Sequence, residues 1–469
     1  MPGPHLADLS AADLVRRTAT GEVTAVAAVE ASLERIERRN PGVNAFSVVL
    51  AEQARADAAA LDARFAAEGQ IGPLHGVPVA IKEEIDVAGC VTTFGGRGNS
   101  TTAAEDSEVV RRLRRAGAIV VGKTRMPEFG QWPYTESVAG GITRNPWDRT
   151  RTPGGSSGGT AAAVALGMVP VAIGGDGGGS IRIPAACCGI FGLKPTRGRV
   201  TSDPMPHLWW ALGTTGPLTR TVLDSALVYD VIRGNTAGDR FTAPEPSTTF
   251  IAAAGADPGR LRIGWSTASP LRGIRATRLH VQAVEETARI LAGLGHDVRE
   301  VDPRYPDQTL AFVPQFFGGV RAEADAVEHF ERLERRTRQV YRLGGWVNQR
   351  VVDRALAAGE RVSERANRVF DQVDLLLTPT IAQRPRRVGV LDRGGPVSAA
   401  LKAQPMIAWT ALWNVAGNPA ASVPAGLADD GLPLAVQLVG RIGDEPTILG
   451  VARQLERTRP WPLITAWGD

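Results

Sequence analysis

The stretch Thr152–Ala186, TPGGSSGGTAAAVALGMVPVAIGGDGGGSIRIPAA, decides the fold class. Between its two glycine clusters it switches from one secondary-structure period to another. GGTAAAVALGM is an alanine-rich helix pattern whose small side chains allow close packing, and VPVAIGG is a short apolar run ending on glycine, the mark of a buried strand. Glycine turn, helix, strand and glycine turn in immediate succession predict an α/β chain. Each cluster also carries a serine with no bulky neighbour, Ser156 in GGSSGG and Ser180 in DGGGS.

The same alternation continues outward. SAADLVRRTATG and TAVAAVEASLERIERRNP place apolar residues at helical spacing, with Ser10 and Thr24 as N-caps and Gly21 and Pro41 as stops. An alanine-rich helix follows near residues 50–68. GVPVAIK reads as a strand ending at Lys82, DSEVVRRLRRAG as a helix, and AIVVGKT as a buried strand. A polar, turn-rich loop, ESVAGGITRNPWDRTRTPGG, leads into the opening stretch. Beyond it come the strand CGIFGLKP, the helix TVLDSALVYDVIRG, the strand LRIGWS and a helix from about Arg278 to Leu294. Residues 305–372 are charge-rich and helical, forming a cap or peripheral layer. Strand signals return in VDLLLTPT and LPLAVQLVG. The chain is therefore expected to be one α/β domain over residues 1–469, with a large twisted, mostly parallel or mixed sheet covered by helices on both faces.

Composition excludes several classes. The 469 residues are 43% hydrophobic and 22% charged, enough for a large core. A formal charge of +4, with 53 basic residues interspersed among 49 acidic ones, offers no nucleic-acid arm. No apolar run reaches the length of a membrane span. Three cysteines, Cys90, Cys187 and Cys188, make no disulfide framework, and the start MPGPHLADLSAADLVRR lacks the apolar core of a signal peptide, so a cytoplasmic location is expected. The histidines His207, His280, His296 and His329 sit in no suggestive context and read as surface or packing residues, and no ligands are grouped for a metal.

Lysine usage is sharper. Only Lys82, Lys123, Lys194 and Lys402 occur among the 53 basic residues, leaving 53 − 4 = 49 arginines. A lysine retained in such a chain is a candidate for giving up its proton, which arginine cannot do. GGSSG matches the G-x-S-x-G nucleophile elbow, but the polar NPWDRTRTP precedes it where a strand is required, which argues against an elbow at Ser156 or Ser157. DGGGS does follow a strand. Its three glycines let backbone N–H groups converge without side-chain obstruction, as an oxyanion hole requires. A phosphate loop or a bare flexible turn are the competing readings, the former without a G-K-[ST] or a complete G-x-G-x-x-G.

Taken in order, GPLHGVPVAIKEEIDVAG, GAIVVGKTRMPEFG, TRNPWD, PGGSSGGTAAAVA, GGDGGGSIRIPAACCGIFGLKPTRGRV, GPLTRTVLDSALVYDV, AGNPAASVPAG and GLPLAVQLVG resemble the amidase signature family of serine hydrolases, from about residue 44 to 456. The resemblance implies a Ser-Ser-Lys group: Ser180 as nucleophile, Ser156 as the bridge that relays a proton, and Lys82 as base, with no cofactor. It places the oxyanion hole on the N–H groups of Gly177, Gly178, Gly179 and Ser180. It gives Asp176 and Arg182 the task of holding the glycine loop, by a buried ion pair or by bonds to its carbonyls. A serine needs a base, and a lysine at its ordinary pKa of ~10.4 holds no free lone pair at neutral pH, so burial of Lys82 in an apolar strand is expected to disfavour its charge.

Three departures qualify the match. Gly177 replaces a common threonine, which is expected to loosen the oxyanion loop or make room beside it. Ala211-Leu212-Gly213 replaces Ser-Leu-Asp, widening the pocket mouth. Lys82-Glu83-Glu84 replaces Lys-Asp-Asn, and strand alternation puts Glu84 on the lysine's side, where a carboxylate opposes a neutral amine; Glu84 is expected to turn away or to be engaged elsewhere. By position in the resemblance, Gln131, Trp132, Tyr134, Trp209 and Trp210 line the acyl cleft, with core packing as the alternative. A lining of that kind suits small-molecule aryl or alkyl amides, with esters and carbamates as further substrates. The alternatives are the glutaminase subunit of a tRNA-dependent amidotransferase, disfavoured by SIRIP in place of SIRQP, and a non-catalytic binding protein. A homodimer is plausible for the class.

Overall fold

The computed structural model describes residues 5–69, 72–392 and 394–465, so the two ends of the expected 1–469 domain lie outside the described residues. Thirteen strands occur among them: β1 Phe46–Val49, β2 Pro78–Lys82, β3 Ile119–Thr124, β4 Glu136–Ser137, β5 Gly141–Ile142, β6 Val171–Asp176, β7 Phe191–Lys194, β8 Thr214–Thr219, β9 Arg262–Trp265, β10 Asp297–Glu300, β11 Leu375–Pro379, β12 Ala420–Leu427 and β13 Pro433–Val439. β4 and β5 form a separate ribbon, and the other eleven form one sheet in the order β1-β3-β2-β6-β8-β7-β12-β13-β11-β9-β10. The sheet is mixed. β3, β2 and β6 run parallel on one flank and β11, β9 and β10 on the other, while every neighbour from β6 through β13 to β11 is antiparallel.

Both faces are covered, and alternation along the strands shows it. Val79 and Ile81 of β2 and Val171 and Ile173 of β6 pack into one apolar cluster, while the intervening Ala80 and Ala172 pack into another. Strands buried on both faces read as continuous apolar runs, as PVAI and VAI do. The helix Gly158–Ala165, buried at every residue, belongs to the second cluster. Its small side chains allow this closeness: a Cβ on Gly159 would stand 2.4 Å from the carbonyl oxygen of Ala45 and 2.6 Å from the Arg125 nitrogen.

The expected caps form, with Ser10 accepting from the Asp13 N–H and Thr24 from that of Ala27. Pro41 does not stop its helix. Ala25–Val43 continues two residues beyond it and ends at Asn44 in the left-handed region, because a proline in the last turn breaks little that the helix still needs. The 305–372 segment folds as the helices Thr309–Ala326, Arg335–Leu343 and Gln349–Asn367 with short 3₁₀ turns. β2 and β6 lie in parallel register, Val79 beside Val171 and Ile81 beside Ile173, so their carboxyl ends, Lys82 and Gly174–Asp176, emerge side by side. Ligands in open α/β sheets bind beyond such strand ends. No helix among the described residues is long and apolar enough to cross a membrane.

Gly159→Ala forces a methyl group against backbone atoms that cannot rotate away. It should destabilise the fold by about 1–3 kcal/mol in urea unfolding, whereas Ala51→Gly on a partly exposed helix start should cost less than about 1 kcal/mol.

Candidate active site

Lys82 ends β2 with 1% of its side chain exposed, and its Nζ donates to Ser156 Oγ at 2.8 Å. Lys123 and Lys194 are buried as well; burial pushes the Lys123 ammonium down and takes Lys194 to about 7. Glu84 does not turn away, contrary to expectation: its Oε1 stands 3.0 Å from Lys82 Nζ. The room comes from Gly175 on the neighbouring strand, where a Cβ would meet that same carboxylate oxygen at 2.2 Å.

Ser156 lies in the turn before the helix Gly158–Ala165, after a cis Gly155–Ser156 peptide bond. Ser157, the other serine of the GGSSG pattern, donates through Oγ to the carbonyl of Gly175 and so ties this turn to β6. Ser180 follows the glycine loop after β6. Its hydroxyl has no hydrogen-bond partner among the described residues, and it lines the same small polar cavity as Lys82, Glu84 and Ser156.

The loop is shaped from below by Asp176 and Arg182, both fully buried. The guanidinium donates Nε to Asp176 Oδ2 at 3.0 Å and Nη2 to Oδ1 at 2.9 Å, and reaches the Thr410 carbonyl, Gln437 and Asn414 with its remaining protons. Asp176 in turn accepts the N–H groups of Gly179 at 2.7 Å, Ile181 at 3.1 Å and Arg182 at 3.4 Å. Burial opposes the carboxylate charge, but Arg182 and these donors outweigh it and hold the Asp176 carboxyl well below its ordinary range. The ion pair is the one expected; the loop is held through its N–H groups rather than its carbonyls. One carbonyl, that of Gly178, is taken by the Thr410 hydroxyl at 2.7 Å. Gly179 has a φ of 128° and its absent Cβ would stand 2.3 Å from Thr410 Oγ1, so no other residue fits there.

This arrangement corrects the expected oxyanion hole. The Gly179 N–H is committed to Asp176, whereas those of Gly177, Gly178 and Ser180 donate to no protein acceptor among the described residues.

The expected cleft residues separate. Gln131, Trp132 and Trp209 line a second, larger cavity of about 310 Å³ that also reaches Ser180. Tyr134 does not: it is fully buried beneath the site and donates its hydroxyl to the Lys402 carbonyl. Trp210 does not either, because Trp209 and Trp210 both adopt positive φ, 49° and 62°, and this reversal sends the Trp210 ring against His207, centroids 4.1 Å apart, in a different pocket. Trp209 takes the space beside Gly177, where a Cβ would lie 3.2 Å from the indole, and its Nε1 donates to Glu323. Sequence reasoning missed Phe312, Phe316 and Phe317, which supply the apolar wall from the helix Thr309–Ala326. The i, i+4 pair Phe312 and Phe316 is the signal that could have found them.

A profile of the Amidase family matches residues 27–449. The AmiB2 protein of Mycobacterium tuberculosis is 47% identical over 463 residues, spanning 98% of each chain. Among solved structures, a 6-aminohexanoate cyclic dimer hydrolase in complex with substrate superimposes with a TM-score of 0.91 at 31% identity, covering 97% of this chain and 98% of the other. A bacterial aryl acylamidase of the amidase signature enzymes superimposes with a TM-score of 0.87 at 29% identity, covering 97% and 96%.

Arg182→Ala leaves a buried carboxylate and several acceptors uncompensated and should cost about 3–5 kcal/mol in chemical unfolding. The Asp176 contribution is fully present above the ordinary carboxylate pKa of ~3.9 and is lost as pH falls below it. The stability gap between wild type and Arg182→Ala should therefore be largest at neutral pH and above and shrink as pH falls into the acid range.

Proposed function

The chain belongs to the amidase family and acts on amide carbon–nitrogen bonds, and we propose that it hydrolyses uncharged, apolar aryl or alkyl carboxamides through an acyl-enzyme on Ser180. The observation that carries this reading is the lining of the 310 Å³ cavity beside Ser180. It is built of tryptophan, phenylalanine and aliphatic side chains with glutamine and threonine, and no charged side chain among the described residues faces it. A charged substrate entering such a cavity loses its hydration and finds no counter-ion. The relatives support the same class, since a cyclic dimer of 6-aminohexanoate and an aryl acylamide both present amides flanked by apolar groups.

The geometry supports the following chemistry. Neutral Lys82 takes the Ser156 proton across their 2.8 Å contact while Ser156 takes that of Ser180, once the free Ser180 hydroxyl rotates toward it. Ser180 Oγ then bonds the carbonyl carbon. The oxyanion is met by the unengaged N–H groups of Gly177, Gly178 and Ser180, each such donor being worth about 2.7–4 kcal/mol. Asp176 and Arg182 hold these donors in place without touching substrate. The relay reversed protonates the leaving nitrogen, and water resolves the acyl-enzyme. No step calls for a cofactor. Esters and carbamates share the acyl-transfer geometry and belong to the same reading, and three buried, unpaired thiols suit a cytoplasmic location.

Free glutamine carries an ammonium and a carboxylate, for which the described residues of the cavity offer no charged partner, so a glutaminase role is disfavoured. Hydrolysis of p-nitroacetanilide, a nitrophenyl carbamate, a fatty amide and glutamine should show turnover of one or more of the first three, with Ser180→Ala lowering kcat by at least about 10³-fold. Turnover of glutamine alone overturns the substrate class; retained activity in Ser180→Ala overturns the nucleophile.

A further inference from the structure

A lysine that must be neutral stands against a carboxylate. Besides Asp176, which Arg182 engages, the small cavity around Lys82 holds two carboxyl groups that the relay leaves unused. Glu84 Oε1 lies 3.0 Å from Lys82 Nζ, seated over the bare Gly175. Glu323, on the helix Thr309–Ala326, lines the same cavity. Its Oε1 accepts from Trp209 Nε1 at 2.8 Å, and its Oε2 is buried without a hydrogen-bond partner among the described residues. Burial above all, and then the charge of Glu84, drives the Glu323 carboxyl well up.

The other groups facing the pair leave its charge unmatched. Ser156 is neutral, Asp176 is already balanced by Arg182, and Phe129, Leu208 and Trp209 complete the wall. Within this cavity Lys82 and Glu84 form an isolated opposite-charge pair, with 1% and 19% of their side chains exposed. Burial penalises both ions together, and a single proton moving across 3.0 Å abolishes both charges at once.

We propose that Glu84 is the proton acceptor that makes Lys82 a base. The Lys82 N–H bond breaks and a Glu84 O–H bond forms, turning ammonium and carboxylate into amine and carboxylic acid with no change in net charge. The freed Nζ lone pair then takes the Ser156 proton, Ser156 takes the Ser180 proton, and Ser180 Oγ attacks. When the leaving nitrogen collects its proton from Ser156 and the relay reverses, Lys82 can take its own back from Glu84. The residue that looked like an obstacle to a lysine base thus supplies the acceptor. This inference rests on the Ser180–Ser156–Lys82 reading and deepens it.

The test uses a fluorophosphonate, which bonds the nucleophile with loss of fluoride and needs neither a known substrate nor deacylation. Rates of labelling are followed by intact mass from pH 6.5 to 9.5. Wild type should label at Ser180 at a rate nearly flat from pH 7 to 9, because the amine arises by internal transfer. Glu84→Gln should label at least about 30-fold more slowly at pH 7, with a rate rising about tenfold per pH unit as solvent hydroxide replaces the lost acceptor. Glu84→Asp should recover a substantial part of the rate and the flat profile. Glu84→Asn, shorter and uncharged, stands in for Glu84→Gln if that variant fails to fold by circular dichroism. Labelling of either amide variant as fast as wild type at pH 7, or a wild-type rate that itself climbs tenfold per unit, overturns the proposal. Labelling that survives in Ser180→Ala overturns the nucleophile reading instead, and so separates the two failures.

Discussion

The buried pair of Asp176 and Arg182 is the interaction on which the site depends. Two ions withdrawn from water are stabilising only when their remaining protons and lone pairs are satisfied. Here Arg182 spends its donors on Asp176, the Thr410 carbonyl, Asn414 and Gln437, and Asp176 accepts three backbone N–H groups besides. Through these bonds the pair fastens the end of β6, the glycine loop, the helix Arg182–Cys188, the helix Ala411–Ala416 and β13 to one another. The three amides left unengaged, of Gly177, Gly178 and Ser180, owe their freedom to this commitment of their neighbours. A loop of three glycines would otherwise have little reason to hold one shape.

Around that fixed loop the space divides in two. A polar cavity of about 40 Å³ holds Lys82, Glu84, Ser156 and Glu323, and an apolar one of about 310 Å³ is walled on one side by the helix Thr309–Ala326; Ser180 and Trp209 border both. The indole takes the space beside Gly177, so the substitution of a glycine for the family's usual threonine does not open the loop but accommodates a wall. The small cavity holds the charged side chains, where electrostatic interactions are strong, and among the described residues no charged side chain lines the larger one.

Legibility from sequence follows the range of the interactions. The caps at Ser10 and Thr24 and the strands at β2, β3 and β6 depend on near neighbours and on burial pattern, and all are readable. β8 and β12 are not, because TTGPLT and AASVPAGL carry the glycine and proline that ordinarily break strands, and only pairing with β6, β7 and β13 overrides them. Position in the family resemblance points Tyr134 and Trp210 to the cleft, yet one is buried with its hydroxyl on the Lys402 carbonyl and the other lies in a separate pocket. Strand alternation correctly puts Glu84 on the side of Lys82; the contact itself requires knowing that the adjacent strand carries a glycine opposite it.

By itself the sequence determined the α/β class, the strand that delivers Lys82, the two glycine turns that carry Ser156 and Ser180, and the membership that the motifs announce, because each is written in contiguous residues whose spacing the backbone translates directly. The tertiary structure alone decided which amides the glycine loop leaves free, where Glu84 and Glu323 lie relative to Lys82, and which aromatic side chains enclose the cavity. Those outcomes join residues up to hundreds of positions apart, such as Arg182 with Gln437 and Trp209 with Glu323. They are set by which side chains compete for the same buried space, a question only the packed fold can answer.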